Sequence, residues 1–259
     1  AQHSTAQQTN LVHNTPLPRA TIMETSMKDL CRNLFFSAVA TVALAGNSAL
    51  ADGPKITWDL DDALKQVDRQ ADDFQTAMAR VEVVRRDLGG NELSRESGTF
   101  FMDKKGKIRL DTDVPEQRTY LLEKSTLYIH YPGEKRVEVF SLSRHKDRME
   151  PFMRLGFTDS GKDLKDDYLL TSLGERDIGE SRSLGLELTP EKEKDRAVMG
   201  KAQLWIDQAS WMPVQQVLTA SSRGEEITLT YTFVARNLEL NPDLFSTKWP
   251  RGTDKQKMK

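Results

Sequence analysis

The spacing of apolar residues changes from a helical to a strand-like period close to Phe74. Between Trp58 and Phe74 the apolar residues follow one another at steps of four and three, which places them on one face of a helix. That stripe consists of Leu60, Leu64, Val67, Ala71 and Phe74. Asp59 or Thr57 is suited to cap the first turn. The pattern therefore predicts an amphipathic helix that packs on a sheet.

Beyond Phe74, apolar and polar residues alternate at the two-residue period of a β-strand. Turn signals such as Gly89-Gly90 and Pro132-Gly133 separate the short runs, as is typical of hairpins. The runs predict strands over residues 75–88, 92–103, 107–113, 118–123, 126–131, 135–140, 168–178, 183–189, 198–207, 213–221 and 225–236. We therefore predict an α+β fold whose single curved antiparallel sheet forms an incomplete β-barrel.

Residues 142–157 interrupt the series of strands and are rich in large apolar side chains. Pro151 lies within this stretch and prevents one continuous helix. Because large apolar side chains are costly to leave in water, we expect the stretch to cover the open mouth of the barrel as a detachable lid. The predicted lid residues are Met149, Phe152, Met153, Leu155 and Phe157.

One face of the predicted sheet is apolar. In the last strand Leu229, Tyr231 and Phe233 alternate with threonines, so one side is buried and the other faces water. Other strands contribute to the same interior Phe100, Met102, Leu127, Ile129, Leu204 and Ile206. This interior is either a core filled by the sheet and its covering helix, or a cavity that holds an apolar ligand. The alternation by itself favours the filled core.

The N-terminal region has the features of an export signal. A mildly basic start precedes an apolar run of 12 residues, 34–45, and Ala49-Leu50-Ala51 then provides a cleavage signature. The run is shorter than the roughly 20 residues that span a bilayer. We predict an upstream extension that is not native (1–26), a signal peptide (27–51), one folded domain (52–247) and a flexible polar tail (248–259).

Composition narrows the function classes. The net charge of −2 argues against general nucleic-acid binding. The single cysteine, Cys31, excludes a disulfide framework and a cysteine-rich zinc site. After residue 51 the only histidines are His130 and His145, and no nucleophile-elbow or phosphate-loop motif is present. We therefore predict a protein that is not an enzyme and that uses no metal or cofactor.

Several short strings, taken in their order, resemble the periplasmic outer-membrane lipoprotein carrier (LolA) family. They are Gly98-Thr99-Phe100-Phe101-Met102, Lys107-Ile108-Arg109-Leu110, Pro151-Phe152-Met153, Leu186-Glu187-Leu188-Thr189-Pro190, Leu204-Trp205-Ile206-Asp207 and Asn241-Pro242-Asp243-Leu244-Phe245. The likeness covers nearly all of the chain after residue 51. It implies an unclosed barrel of about eleven strands, with helices as a lid over the open mouth. In the family, the space between barrel and lid binds acyl chains.

The resemblance also implies a periplasmic location and a set of partners. In the family, acylated lipoproteins arrive from an inner-membrane ABC transporter and leave to an outer-membrane acceptor. We expect this chain to be a monomer. The apolar strand residues named above would then line the lipid cavity. Two alternatives remain open. One is a regulatory protein with the same fold that senses lipids or lipoproteins, and the other is an exported hydrolase whose site is not recognised.

The chain departs from the family at one basic turn. The family has Arg-Pro there, and that arginine ties the barrel to the lid, whereas this chain has Lys105-Gly106. Lysine lacks the planar, multi-donor geometry of arginine. Arg109 matches a second basic position of the family. The resemblance therefore makes Lys105 and Arg109 the two candidates for the latch.

Overall fold

The computed structural model describes residues 59–142, 154–221 and 224–258. The predicted signal peptide and upstream extension lie outside the described residues. The helices are α1 (Leu60–Asp73), α2 (Gly161–Asp167) and α3 (Glu193–Arg196), with 3-10 turns at Pro132–Glu134 and Pro242–Phe245. The strands are β1 (Thr76–Asp87), β2 (Glu92–Asp103), β3 (Ile108–Val114), β4 (Arg118–Glu123), β5 (Thr126–Tyr131), β6 (Arg136–Ser141), β7 (Tyr168–Ile178), β8 (Ser181–Pro190), β9 (Lys201–Asp207), β10 (Pro213–Ala220), β11 (Glu225–Arg236) and β12 (Asp254–Met258).

The first helix forms where the apolar stripe predicts it. Asp59 caps it by accepting a hydrogen bond from the backbone N–H of Asp61 at 3.0 Å. Its apolar face buries Leu64 and Val67 against the sheet. Throughout the described part of the chain, no helix is both long and apolar enough to cross a membrane.

The strands form a single sheet with the order β12-β6-β5-β4-β3-β2-β1-β11-β10-β9-β8-β7. All neighbouring strands are antiparallel except β12, which runs parallel to β6. Strands β12 and β7 lie at the two ends of the order, so the sheet is not closed into a complete barrel. The predicted architecture, a mostly antiparallel sheet that forms an incomplete barrel, is confirmed.

This strand order explains why the strand series is interrupted after β6. Strand β6 lies near one end of the sheet and β7 forms the other end. The two strands are not neighbours in the sheet, so no hairpin joins them. The described part of the connection, residues 154–167, contains Leu155 and Phe157, both buried. These residues therefore bring apolar side chains onto one face of the sheet.

That face, called the inner face below, carries two apolar clusters. The first cluster comprises Leu64, Val67, Leu155, Leu164, Tyr168, Leu186, Leu188, Met199, Ala202, Leu204, Ile206 and Leu218. The second cluster comprises Phe74, Ala77, Ala79, Val81, Phe100, Met102, Ile108, Leu122, Phe157, Met212 and Tyr231. The first is built on β7–β10 beneath α1 and α2, and the second is built on β1–β4 and β11.

The C-terminal residues differ from the sequence-based expectation of a flexible tail from residue 248 onward. Residues 254–258 pair with β6 as strand β12. Ahead of that strand, the ring of Trp249 stacks on His130 with 4.7 Å between centroids. We call residues 241–258 the C-terminal strap. The last strand of the strap, β12, is held at the sheet edge by backbone pairing and buries no apolar face. Its side chains therefore show no apolar alternation from which the sequence could predict a strand.

Candidate functional site

A short non-strand segment, residues 154–158, lies against the inner face, and we call it the plug. Leu155 belongs to the first cluster and Phe157 to the second, and each is 1% exposed. The ring of Phe157 lies 5.3 Å, centroid to centroid, from those of both Phe100 and Tyr231. The plug therefore bridges the two clusters at the place where the sequence predicts either a core or a cavity.

A buried polar chain holds the backbone of the plug. The side-chain Nε2 of Gln216 donates to the carbonyl oxygen of Leu155 at 2.6 Å. The hydroxyl of Tyr231 donates to Oε1 of the same glutamine at 3.0 Å. Gln216 is 0% exposed, and burial raises the pKa of Tyr231, which keeps its hydroxyl protonated. Both buried polar side chains are hydrogen-bonded, which offsets the cost of removing them from water.

The close approach of the plug to the sheet depends on Gly156. Its φ of +79° lies in the left-handed region. A Cβ at this position would lie 2.8 Å from Cδ1 of Leu204 and 3.0 Å from Cγ of Pro213. Only glycine satisfies both conditions, which allows the backbone to press onto β9 and β10.

Helix α2 follows the plug and fixes its far side to α1. Ser160 and Asp163 form a reciprocal capping box at the start of α2. The backbone N–H of Gly161 donates to Oδ1 of Asp68 on α1 at 2.7 Å. A Cβ on Gly161 would lie 2.7 Å from the carbonyl oxygen of Leu64, so glycine is required for this contact too. The two helices form a fixed cover from which the plug extends.

Arg154 of the plug lies against the turn between β2 and β3. A Cβ on Gly106 would lie 3.1 Å from Nη1 of Arg154, so the guanidinium of Arg154 rests on this turn. Lys105, one latch candidate, is exposed. The other candidate, Arg109, donates to the carbonyl oxygen of Leu244 at 2.6 Å and pairs with Asp111 at 2.8 Å. Its position next to inward-facing Ile108 directs it to the outer face, where it binds the strap and not the plug.

Asp159 places a carboxyl group at the end of the plug. Burial raises its pKa to about 6, and the nearby guanidinium of Arg154 opposes this change by favouring the charged form. Within the described residues, Oδ2 of Asp159 has no hydrogen-bonding partner. A buried carboxylate without full compensation is costly, so ionisation of Asp159 destabilises the folded state.

We expect Asp159→Asn to remove a pH dependence of stability. The folded-state pKa of about 6 exceeds the ordinary value of 3.8, so the stabilisation is complete below pH 3.8 and is lost as the pH rises through 6. The whole effect is roughly 3 kcal/mol in the free energy of unfolding, of which about 1.4 kcal/mol falls between pH 5 and pH 8. Urea unfolding at these two pH values measures it, with exposed Asp166→Asn as the control. An unchanged difference between the two pH values in Asp159→Asn would contradict the assignment.

The structure brings most of the predicted cavity residues onto the inner face. Phe100, Met102 and Tyr231 belong to the second cluster, and Leu204 and Ile206 to the first. Leu229 packs against both clusters. On β5, Leu127 lies opposite Leu122 of the second cluster, and Ile129, two residues further on, shares its side of the strand.

Phe233 does not share this face, contrary to the sequence-based expectation. It is 86% exposed and has a φ of +52°. The register between β1 and β11 shifts at this point, between Met78 and Arg80. This β-bulge inserts one residue, so the alternation that holds up to Tyr231 is broken. Val234 packs against the second cluster instead. Of the predicted lid, Met149, Phe152 and Met153 lie outside the described residues.

Gln216, Arg154 and Asp159 are not among the site residues predicted from the sequence. Gln216 had a readable signal because it occupies an inward position two residues before Leu218, where the alternation calls for an apolar side chain. Arg154 and Asp159 had no such signal, because their environments form only when the segment that contains them packs against the rest of the fold. Among the described residues, no group of three or more His, Cys, Asp or Glu is placed to hold a metal ion.

No family model and no curated protein matches the sequence. Among solved structures, an uncharacterised conserved protein from Thermus thermophilus is similar at 11% identity and a TM-score of 0.48, over 76% of this chain and 98% of that chain. A LolA superfamily protein from Nitrosomonas europaea is similar at 14% identity and a TM-score of 0.37, over 74% and 99% of the two chains.

A third similar structure is a complex of MucA and MucB from Pseudomonas aeruginosa. It has 16% identity and a TM-score of 0.42, over 72% of this chain and 61% of that chain. That structure contains a protein partner, as its description as a complex states.

Proposed function

We propose that this protein binds acyl chains on the inner face of its incomplete barrel and carries lipoproteins between membranes. The binding site is the space between the two apolar clusters that the plug occupies. The observation that carries this proposal is the plug itself. It belongs to no strand, and it is attached to the sheet by buried side chains and by the hydrogen bond from Gln216 to the carbonyl oxygen of Leu155. An acyl chain that displaces it meets the same apolar contacts.

The energetics favour such an exchange. Each buried methylene contributes about 0.8 kcal/mol, so an acyl chain of about sixteen carbons gains roughly 13 kcal/mol on leaving water. Exposing Leu155 and Phe157 costs roughly 1.5–3 kcal/mol each. The hydrocarbon therefore outcompetes the plug, while the returning plug helps to release the ligand. A carrier needs both properties because it must unload its cargo.

We infer a periplasmic location and a transport role from the resemblance of the sequence. The apolar run and the Ala49-Leu50-Ala51 signature favour export. The proposed partners are an inner-membrane ABC transporter that supplies acylated lipoproteins and an outer-membrane acceptor that takes them. A protein that binds its partner through a lipidated segment needs no catalytic group.

Transfer of cargo tests the carrier role directly. The chain from Asp52 onward is added to spheroplasts whose lipoproteins carry radiolabelled acyl chains. A carrier moves intact labelled lipoprotein into the soluble fraction and passes it to outer-membrane vesicles. A regulator binds the label without delivering it, and a hydrolase releases free labelled fatty acid. Either of these two outcomes would overturn the carrier proposal.

Movement of the plug gives a second expected result. The backbone amides of Phe157 and Thr158 donate to the carbonyl oxygen of Arg154 at 2.9 Å and 3.4 Å. Because a bound acyl chain displaces the plug, we expect faster hydrogen exchange at these two amides when a lipopeptide is added. The amides of β9 and β10, which are each paired with a strand on both sides, serve as the control. Equal exchange with and without the lipopeptide, in a sample shown to bind it, would contradict the displacement.

A further inference from the structure

Gln216 places a polar side-chain amide within an otherwise apolar surface. It is fully buried on an inner face whose neighbouring positions, Leu204 and Leu229 across the ladder, are apolar. Its donor nitrogen bonds to the plug, through the carbonyl oxygen of Leu155, and not to the sheet. The partner of this buried donor is therefore the very segment that must leave when a ligand enters.

Tyr231 fixes which way this amide points. Its hydroxyl donates to Oε1 of Gln216 at 3.0 Å, so the oxygen of the amide is already engaged from the side of β11. The nitrogen is then directed toward the plug. Besides its contact with Phe157 of the plug, Tyr231 is held by its place in β11 and by the ring of Phe100, 5.6 Å away between centroids. The orientation of the amide therefore persists after the plug has moved.

Displacement of the plug by a pure hydrocarbon would leave the amide nitrogen buried without an acceptor. An unsatisfied buried donor is more costly than the hydrogen bond is favourable. A ligand whose carbonyl oxygen takes the position of the Leu155 carbonyl oxygen accepts the hydrogen bond from Gln216 and so avoids this cost. The site therefore discriminates between apolar chains with and without a carbonyl group.

We propose that Gln216 recognises the ester or amide carbonyl of an acyl chain, which takes the place of the Leu155 carbonyl on Nε2. This inference rests on the proposed function and deepens it by naming the ligand class, a carbonyl-bearing acyl chain. The carbonyl then sits inside the barrel beside Tyr231, and the hydrocarbon lies along the apolar clusters. The polar pair positions the ligand along the cavity, whereas the clusters supply the affinity.

The test uses methyl palmitate labelled with ¹³C at the carbonyl, bound to the full chain. A hydrogen bond lowers the frequency of the ester carbonyl band in the infrared spectrum. We expect a lowered band with the wild-type protein and with Gln215→Leu, and a band near its value in hydrocarbon solvent with Gln216→Leu. Gln215 is the matched control, because it is the adjacent glutamine and its amide bonds outward to Oγ1 of Thr230 at 3.0 Å.

Affinity provides an independent readout. In competition with a fluorescent fatty-acid probe, methyl palmitate should bind about three- to tenfold more tightly than heptadecane to the wild-type protein, and about equally to Gln216→Leu. The ratio removes any effect of the substitution on the plug, because both ligands displace the same plug. A dipalmitoylated lipopeptide, labelled at its ester carbonyls, distinguishes a protein-linked source of the carbonyl from a free lipid.

The outcomes separate the two proposals. No binding of any of these ligands overturns the proposed function. Binding with the same carbonyl band and the same affinity ratio in wild type and Gln216→Leu overturns the role of Gln216 alone. If Gln216→Leu fails to fold, the double variant Gln216→Leu/Tyr231→Phe removes both polar partners together. A wild-type band at the hydrocarbon-solvent frequency is by itself sufficient to refute the inference.

Discussion

Phe157→Ala is expected to lower the free energy of unfolding by about 3–5 kcal/mol and, at the same time, to tighten the binding of acyl chains. Phe157 is 1% exposed and contacts the rings of Phe100 and Tyr231, so its truncation removes a large buried contact. The same truncation weakens the docking of the plug. The apparent affinity for a ligand rises with the fraction of molecules whose plug has already left the site. We expect at least about a tenfold decrease in the apparent Kd, which corresponds to roughly 1.4 kcal/mol of plug docking.

Phe245→Ala is the matched control for this experiment. Phe245 is also buried, at 8% exposure, but it lies in the C-terminal strap and outside both clusters. Its truncation should lower stability without changing affinity for lipid. Thermal unfolding and competition binding measure the two effects. If Phe157→Ala loses stability and also loses affinity, Phe157 belongs to a fixed core and the plug is not displaced.

The sheet was predictable because its strands follow side-chain alternation. Each of the eleven runs identified in the sequence corresponds to a strand of the structure, and the amphipathic stripe corresponds to α1. A sheet with one buried face requires this alternation in each strand. If the register of a strand shifted by one residue, all its apolar side chains would face water. Strand β12 escaped prediction because it pairs at an edge through its backbone and has no buried face.

The site was only partly predictable, because its particular features come from contacts distant in sequence. The alternation in β11 continues through Phe233, and only the pairing with β1 reveals the bulge that turns this side chain outward. The contact of Arg154 with Gly106 joins the plug to a turn about fifty residues earlier in the chain. Gln216 is the exception, since a polar residue at an inward strand position is visible in the sequence.

Leu229→Glu is expected to lower the affinity for an acylated peptide and Phe233→Glu to leave it unchanged, although the two residues lie four positions apart on one strand. Leu229 packs against both apolar clusters, so a glutamate there would place a carboxyl group beside the hydrocarbon of the ligand. We expect at least about a tenfold loss of affinity for an acylated peptide, because burying an unpaired polar group costs more than roughly 1.4 kcal/mol. Phe233 is 86% exposed, and its substitution should leave affinity unchanged.

This pair is informative because the sequence alternation alone treats both positions alike. Thermal unfolding of both variants shows whether each remains folded, and binding is measured only on folded protein. If Leu229→Glu destabilises the fold too far, Leu229→Gln introduces a smaller polar penalty at the same place. Equal loss of affinity in the two glutamate variants would mean that Phe233 faces the ligand and that the bulge in β11 is absent in solution. Normal affinity in a folded Leu229→Glu would instead place the acyl chain away from the junction of the two clusters.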